Sequence, residues 1–289
     1  MRPRLIIDCF TFFNELKLLE FRLAENFDFI DYFILVESTK TFSGKDKPLY
    51  YQNNKHLFER YRHKIIHVIV DDVDMPEKSD DGIHDTIGDY PNDDNWNRER
   101  FQRNSIMKGL KKLDLRPDDI ILINDVDEIL SGPILQFFKY EGVFGLYVPV
   151  LDTYIYNLKY KIVHNWPPPR IACGTRAVDY QSLLDIGTPD KVRNTYLYNR
   201  EYYPNGEVND RQYAWLIPKA GWHFSYFGDK ELIIDKIKSY SHQENNKDEI
   251  IKNIDDYINS GRFVTDDYFS KYIDIVSNVD LPINYKILL

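Results

Sequence analysis

The sequence predicts an α/β fold, a mostly parallel sheet flanked by helices with an elaborated C-terminal half. Three observations carry this. Short apolar, β-prone runs alternate with helical periodicities through the first 130 residues, the spacing of strand–helix–strand units. Four acids, Asp8, Glu37, Asp71 and Asp125, lie at or near the ends of those runs, at the edge where open parallel sheets bind ligands. No internal repeat or Ser/Gly linker divides the chain, so 1–289 reads as one domain with halves at 1–130 and 131–289.

The elements follow in order. Leu5–Phe10 is apolar and β-prone, and Asn14–Asn26 reads as a helix with Leu16, Leu19 and Leu23 at three-to-four spacing. Tyr32–Val36 is a short apolar strand ending in Glu37-Ser38. After the loop Thr41–Leu49 and a helical stretch near Asn54–Tyr61, Ile65–Val70 is another buried strand. The acidic segment that follows is marked as loop by Pro76, Gly82, Gly88 and Pro91. Asn97–Leu113 is helical, with Ile106, Leu110 and Leu113 on one stripe, and Pro117 precedes the strand Ile120–Ile123. Further on, Phe144–Val150 reads as a strand, Trp166–Pro169 as a rigid loop, and Gly221–Phe227 as a short aromatic strand or turn. Helical patterns over Asp229–Glu244 and Lys247–Ser260 precede a loose tail.

Composition narrows the class. Hydrophobic residues at 43% and aromatics at 15% exclude a disordered chain. The net charge of −9 sits in Asp71–Asp94, where ten acids face only Lys78; the other 36 acids balance 36 bases. Nucleic acid is disfavoured as a partner, because binding it needs a basic excess on some face. The acidic segment reads as solvated surface, or as a lid that orders over a ligand. No secretory leader, no run of about 18 apolar residues and no Asn-x-Ser/Thr sequon is present, and the two cysteines form no CxxC pair. The expectation is a soluble, cytoplasmic protein without an integral membrane segment.

The strongest chemical signal is Ile121–Ile129, where an apolar strand delivers Asp125 and Asp127 at its end. In extended geometry residues i and i+2 point the same way, so the two carboxylates converge. Converging carboxylates need a cation, and a hard divalent ion suits oxygen ligands with room left for phosphate oxygens. A strand-end turn with solvated aspartates is the plainer reading. Two chemistries share the geometry, phosphoryl transfer through an Asp nucleophile and glycosyl transfer with a metal on a donor diphosphate. In the first, a Gly/Thr pair should follow the second Asp, and here Glu128-Ile129 stands there. A catalytically silent carbohydrate-binding protein is a third possibility.

Six segments then occur in order: Asp8–Leu16, Phe33–Ser38, Pro48-Leu49, Asn95–Arg103, Asn124–Ile129 and Ala220–Phe227, followed by Ser239–Glu244. Together they resemble glycosyltransferase family 17, from about residue 5 to about residue 265. The resemblance implies a GT-A fold, a UDP-sugar donor (UDP-GlcNAc), a Mn²⁺ or Mg²⁺ ion, an inverting mechanism and a glycan or glycoconjugate acceptor. Residues 1–130 would then bind the nucleotide sugar and 131–289 the acceptor.

Roles follow from that resemblance. Asp127 is the expected direct metal ligand, and Asp125 binds metal or ribose. His223 is either a third ligand or a histidine packed between Trp222 and Phe224. Arg98 and Arg103 precede the motif strand; Arg103 either grips diphosphate or pairs with a strand-end acid. Asn124 joins the donor set, with Glu37 and the run from Asp8 to Phe10 meeting the nucleoside and Phe10 or Phe12 stacking on uracil. An inverting enzyme needs a carboxylate base, for which Asp179 and Glu128 are candidates. Trp166, Trp215 and Trp222 are candidate sugar-stacking or core residues.

Overall fold

The computed structural model of the chain describes residues 2–75, 94–162, 174–195, 214–264, 270–272 and 275–289. Strands β1 (Ile6–Phe12), β2 (Tyr32–Ser38), β3 (Ile65–Val70) and β4 (Ile120–Asp125) pair in parallel in the spatial order β3-β2-β1-β4. All seven residues of β1 are buried, as a strand covered on both faces requires. The crossovers are α1 (Leu16–Asn26), then α2 (Tyr50–Asn54) continuing as 3₁₀ turns over Lys55–Lys64, then α3 (Asp94–Asn104) and α4 (Ile106–Leu110).

Strand periodicity sorts the side chains between two layers. Ile6, Phe10, Leu35, Ile120 and Leu122 pack with Leu19 and Leu23 of α1. Ile7, Cys9, Ile34, Val36, Ile121 and Ile123 pack on the other face with Ile106 and Leu110 of α4. Gly109 lets α4 lie close on β2, since a Cβ there would sit 2.6 Å from Ile34 Cγ2. The same alternation puts Asp8 and Asn124 on the α1 face and Asp125 on the α3–α4 face.

Beyond β4 come β5 (Glu128–Leu130), α5 (Gly132–Glu141), β6 (Leu146–Ile155), β7 (Tyr160–Ile162), β8 (Arg176–Asp179), α6 (Tyr180–Ile186) and α7 (Pro189–Arg193). They are followed by β9 (Ala214–Ser225), α8 (Lys230–Ser239), α9 (Asp248–Lys252), α10 (Ile254–Ser260) and β10 (Ser270–Tyr272). β8 joins β4 antiparallel, and the sheet continues through β6 and β7 to β10. β9 runs parallel to β6 and antiparallel to β5. The sheet is parallel in its first half and mixed beyond.

Several expected elements differ: the helix over 229–244 ends at Ser239, and that over 247–260 is two, α9 and α10. The helix over 97–113 is two, separated at Ser105, whose hydroxyl bonds back to the Phe101 carbonyl at 2.9 Å. The helical stretch near Asn54 begins earlier, at Tyr50, because the Glu37 carboxylate accepts from the Tyr51 and Gln52 amides at 2.7 and 3.2 Å. The short strand or turn expected at 221–227 is, as far as Ser225, the end of the much longer strand β9. The Trp166–Pro169 loop and positions 76–93 of the acidic segment lie outside the described residues. The described acids at its start are paired: Asp71 caps the turn 72–74 through the Val73 amide, Asp72 takes Arg98 at 2.6 Å, and Asp74 faces Lys108 at 3.6 Å. Among the described residues no helix is long and apolar enough to cross a membrane.

Candidate active site at the carboxyl edge of the parallel strands

β4 ends at Asp125, the chain turns through Val126-Asp127, and β5 begins at Glu128. The turn separates what a continuing strand would have aligned. Asp125 keeps the face set by β4 and meets two buried arginines there. Its Oδ2 accepts from Arg193 Nη2 at 2.7 Å and its Oδ1 from Arg103 Nη2 at 3.3 Å. Arg193, delivered by α7, also holds both oxygens of Glu128 at 2.5 and 2.8 Å, while Glu128 accepts the Asp125 amide at 3.1 Å. Arg103 reaches Asp190 at 3.0 Å and Glu99 at 2.9 Å. Burial works against charge on Asp125, yet Arg193 and Arg103 outweigh it and hold the carboxyl well below the ordinary carboxylate range.

Asp127 faces other partners. Its Oδ2 accepts from Lys236 Nζ of α8 at 2.7 Å, and its Oδ1 lies 3.7 Å from His223 Nε2 of β9. Burial again opposes the charge, and Lys236, with a smaller contribution from His223, brings the carboxyl below its usual range. Burial opposes the ammonium of Lys236 in turn, but Asp127 more than offsets it and keeps that group firmly protonated. The Asp127 carbonyl accepts the Phe224 amide at 2.8 Å, which locks the turn to β9.

Beneath the turn sits a buried brace. Arg22 of α1, 1% exposed, donates from Nε to Asp8 at 2.8 Å, and its Nη2 takes the second oxygen. Its Nη1 meets the carbonyls of Asp125, Val126 and Glu128 at 3.1, 3.2 and 2.5 Å. Asn124 donates to the same Asp8 at 2.6 Å. One guanidinium therefore satisfies a buried carboxylate and three strand-end carbonyls together, which buried polar groups require.

The structure brings Asn124, Asp125, Asp127, Glu128, Arg103 and His223 together at this edge, and separates the rest. Asp8 and Phe10, each 0% exposed, lie inside the sheet layer, with the Arg22 guanidinium 4.4 Å over the Phe10 ring; Phe12 is buried too. These positions leave no open face for uracil, which corrects the stacking role expected of the phenylalanines. Glu37 is buried as the cap of α2 and as partner of His67 at 3.0 Å. Arg98 pairs with Asp72 beyond β3, its guanidinium against Gly44, where a Cβ would lie 2.9 Å from Cζ.

Of the two acids expected as base, Asp179 pairs with Ile120 at the opposite edge of the sheet, about 17 Å of strand from Asp125. There it accepts from the Ser182 and Gly145 amides at 2.8 and 2.7 Å and caps α6. Its position takes it out of the cluster. Glu128 is inside the cluster, but its carboxylate is filled by Arg193. Trp222 donates its indole N–H to the Asp280 carbonyl at 2.6 Å, Trp215 is 62% exposed, and Trp166 lies outside the described residues.

Sequence reasoning missed Arg22, Arg193, Lys236, Glu99 and Asp190. Arg22 had a signal: it shares the stripe of Leu18, Leu19 and Leu23, where a lone cation needs a buried partner, and Asp8 stands inside an apolar strand. Arg193 had none, because α7 is five residues long and meets the site through tertiary packing alone.

Asp127 offers hard oxygen donors and already holds a cation in the Lys236 ammonium. Among the described residues no three His, Cys, Asp or Glu side chains close on one point. A divalent ion here would draw on the Asp127 carboxylate and complete its shell with phosphate oxygens and water, an arrangement that Mg²⁺ commonly adopts.

Comparison with known proteins agrees with the family resemblance. Residues 1–171 match the profile of glycosyltransferase family 17. The chain is 27% identical over 255 residues to beta-1,4-mannosyl-glycoprotein 4-beta-N-acetylglucosaminyltransferase of Rattus norvegicus and to the protein of the same name in Homo sapiens. The alignment covers 82% of this chain and 43% of either relative, so the chain spans less than half the length of the curated relatives it matches. With its profile matched over more than half of its residues and its Asp125–Asp127 turn at the carboxyl edge of a parallel sheet, the chain belongs to glycosyltransferase family 17.

Proposed function

We propose that the chain transfers a sugar, N-acetylglucosamine, from a UDP donor to a glycan or glycoconjugate acceptor, on a GT-A-type fold with Mn²⁺ or Mg²⁺ at the Asp125–Asp127 turn. The observation that carries the reading is the pair of carboxylates at the end of β4 in a family 17 chain. The shared name of the rat and human relatives supports the choice of sugar. Charge supports the metal. Among the described residues, five carboxylates (Glu99, Asp125, Asp127, Glu128, Asp190) face three cations (Arg103, Arg193, Lys236), which leaves two negative charges. A site with that excess repels a diphosphate until a dication joins it.

A divalent ion bound there supplies Lewis acidity, neutralising charge on the departing UDP. The protein's own part is positional. Arg22 holds the turn carbonyls, Arg193 and Arg103 fix Asp125, and Asp127 presents oxygen toward the Lys236–His223 side. Sugar transfer displaces the phosphoryl-transfer and silent-binder readings because of the family match.

UDP release from UDP-GlcNAc, UDP-glucose and UDP-galactose, with Mn²⁺ or with EDTA, tests the proposal. Slow hydrolysis of UDP-GlcNAc that needs Mn²⁺ is the expected outcome. Release of phosphate from p-nitrophenyl phosphate, or donor binding without any turnover, would count against it.

A further inference from the structure

We infer that Lys236 is a displaceable counter-ion of Asp127: the divalent ion evicts its ammonium from the carboxylate, and the freed ammonium is taken up by the donor diphosphate, so metal and nucleotide bind cooperatively. This rests on the metal-dependent transfer proposed above.

The three cations at the turn are held very differently. Arg193 is shared between Asp125 and Glu128, and Arg103 among Asp125, Glu99 and Asp190; both side chains are more than nine-tenths buried. Neither leaves without breaking several buried pairs at once. Lys236 makes one carboxylate hydrogen bond, 2.7 Å to Asp127, and its side chain is a quarter exposed. Its other attractions, to Glu15 and Asp125, act through space without a hydrogen bond, and the Tyr226 ring lies 5.7 Å away. The helix beneath it stays put, because Ile233 and Ile237 are anchored in the core. A lysine is also the residue built to move, a compact charge on a flexible four-carbon stem.

Asp127 is the carboxylate on which a metal would land, and its side chain is only 6% exposed. An ion in contact with its oxygens and an ammonium at 2.7 Å cannot share it without strong like-charge repulsion. Metal alone must therefore displace Lys236 into water with no new partner. A diphosphate on the metal supplies that partner, and each ligand then tightens the other by the same factor.

Titration of Mn²⁺ followed by the electron paramagnetic resonance of the free ion, with and without UDP, tests this on the wild type, Lys236→Met and Lys236→Arg. Lys236→Met should bind Mn²⁺ alone at least about ten-fold tighter, and UDP should tighten Mn²⁺ by about ten-fold more in the wild type than in the variant, where only direct phosphate ligation couples the two. Lys236→Arg, which keeps the charge, should behave as the wild type. Should thermal unfolding show Lys236→Met to be misfolded, Lys236→Gln takes its place with the same expectation. Unchanged Mn²⁺ affinity in the folded variant, or undiminished coupling to UDP, overturns the inference and leaves the proposed metal site standing. Failure of both wild type and variant to take up Mn²⁺, even with UDP, overturns the metal site and this inference with it.

Discussion

Lys47 shows how a single residue can work against the fold. Its ammonium is buried without a hydrogen-bond partner, 5.6 Å from the centres of both the Phe13 and Tyr50 rings. Desolvation dominates over the more distant Glu37 and Glu15 and pulls its pKa from 10.5 down to about 8. Because the folded value lies below the unfolded one, the unfolded chain binds more protons between those two pH values. The destabilisation is then full below about pH 8 and is relieved as pH rises toward 10.5. Lys47→Met should accordingly raise stability by about 1–3 kcal/mol at pH 7, with the gain fading near pH 10; a lower melting temperature at pH 7 would refute this. At this scale the sequence was most and least informative. Asp125 and Asp127 were legible, because an apolar strand ending in two acids is a local pattern. Lys47 and Arg193 were not, because what surrounds them is brought from elsewhere in the chain.

Elements come next, and here one side chain ties three of them. Arg22 joins α1 to Asp8 of β1 and to the carbonyls of the β4–β5 turn. Its removal leaves a carboxylate that is 0% exposed without its cation. Arg22→Met should therefore destabilise the protein by about 3–5 kcal/mol, and Asp8→Asn added to it should restore part of the loss. Urea unfolding of the single and the double variant checks this, and a loss below about 1 kcal/mol for Arg22→Met would show that the pair is not structural. The strands of the parallel half were legible to within two residues of their ends, since each is a short apolar run bounded by turn residues. β9 was not. Its twelve residues owe their extended form to pairing with β5 and β6, 68 or more residues earlier in register, and no local periodicity encodes that.

For the molecule as a whole, the charge of −9 is a local property. Apart from Asp71–Asp94 the chain is neutral in total, and within it the β4 edge gathers an excess of acid that a dication would balance. The α/β class and the site's position at the carboxyl edge were legible because alternating strands and helices admit few topologies. The division of labour between Asp125, held by arginines, and Asp127, held by a lysine, was not, because it depends on the turn at Val126. The proposed sugar transfer depends on a cation carried by Asp127. The most direct measurement is the rate of Mn²⁺-dependent UDP release from UDP-GlcNAc by Asp127→Asn, a near-isosteric change that removes only the charge. A fall of at least about a hundred-fold is expected, with the melting temperature in EDTA within a few degrees of wild type. Undiminished release by the folded variant, or wild-type release that persists in EDTA, would contradict it.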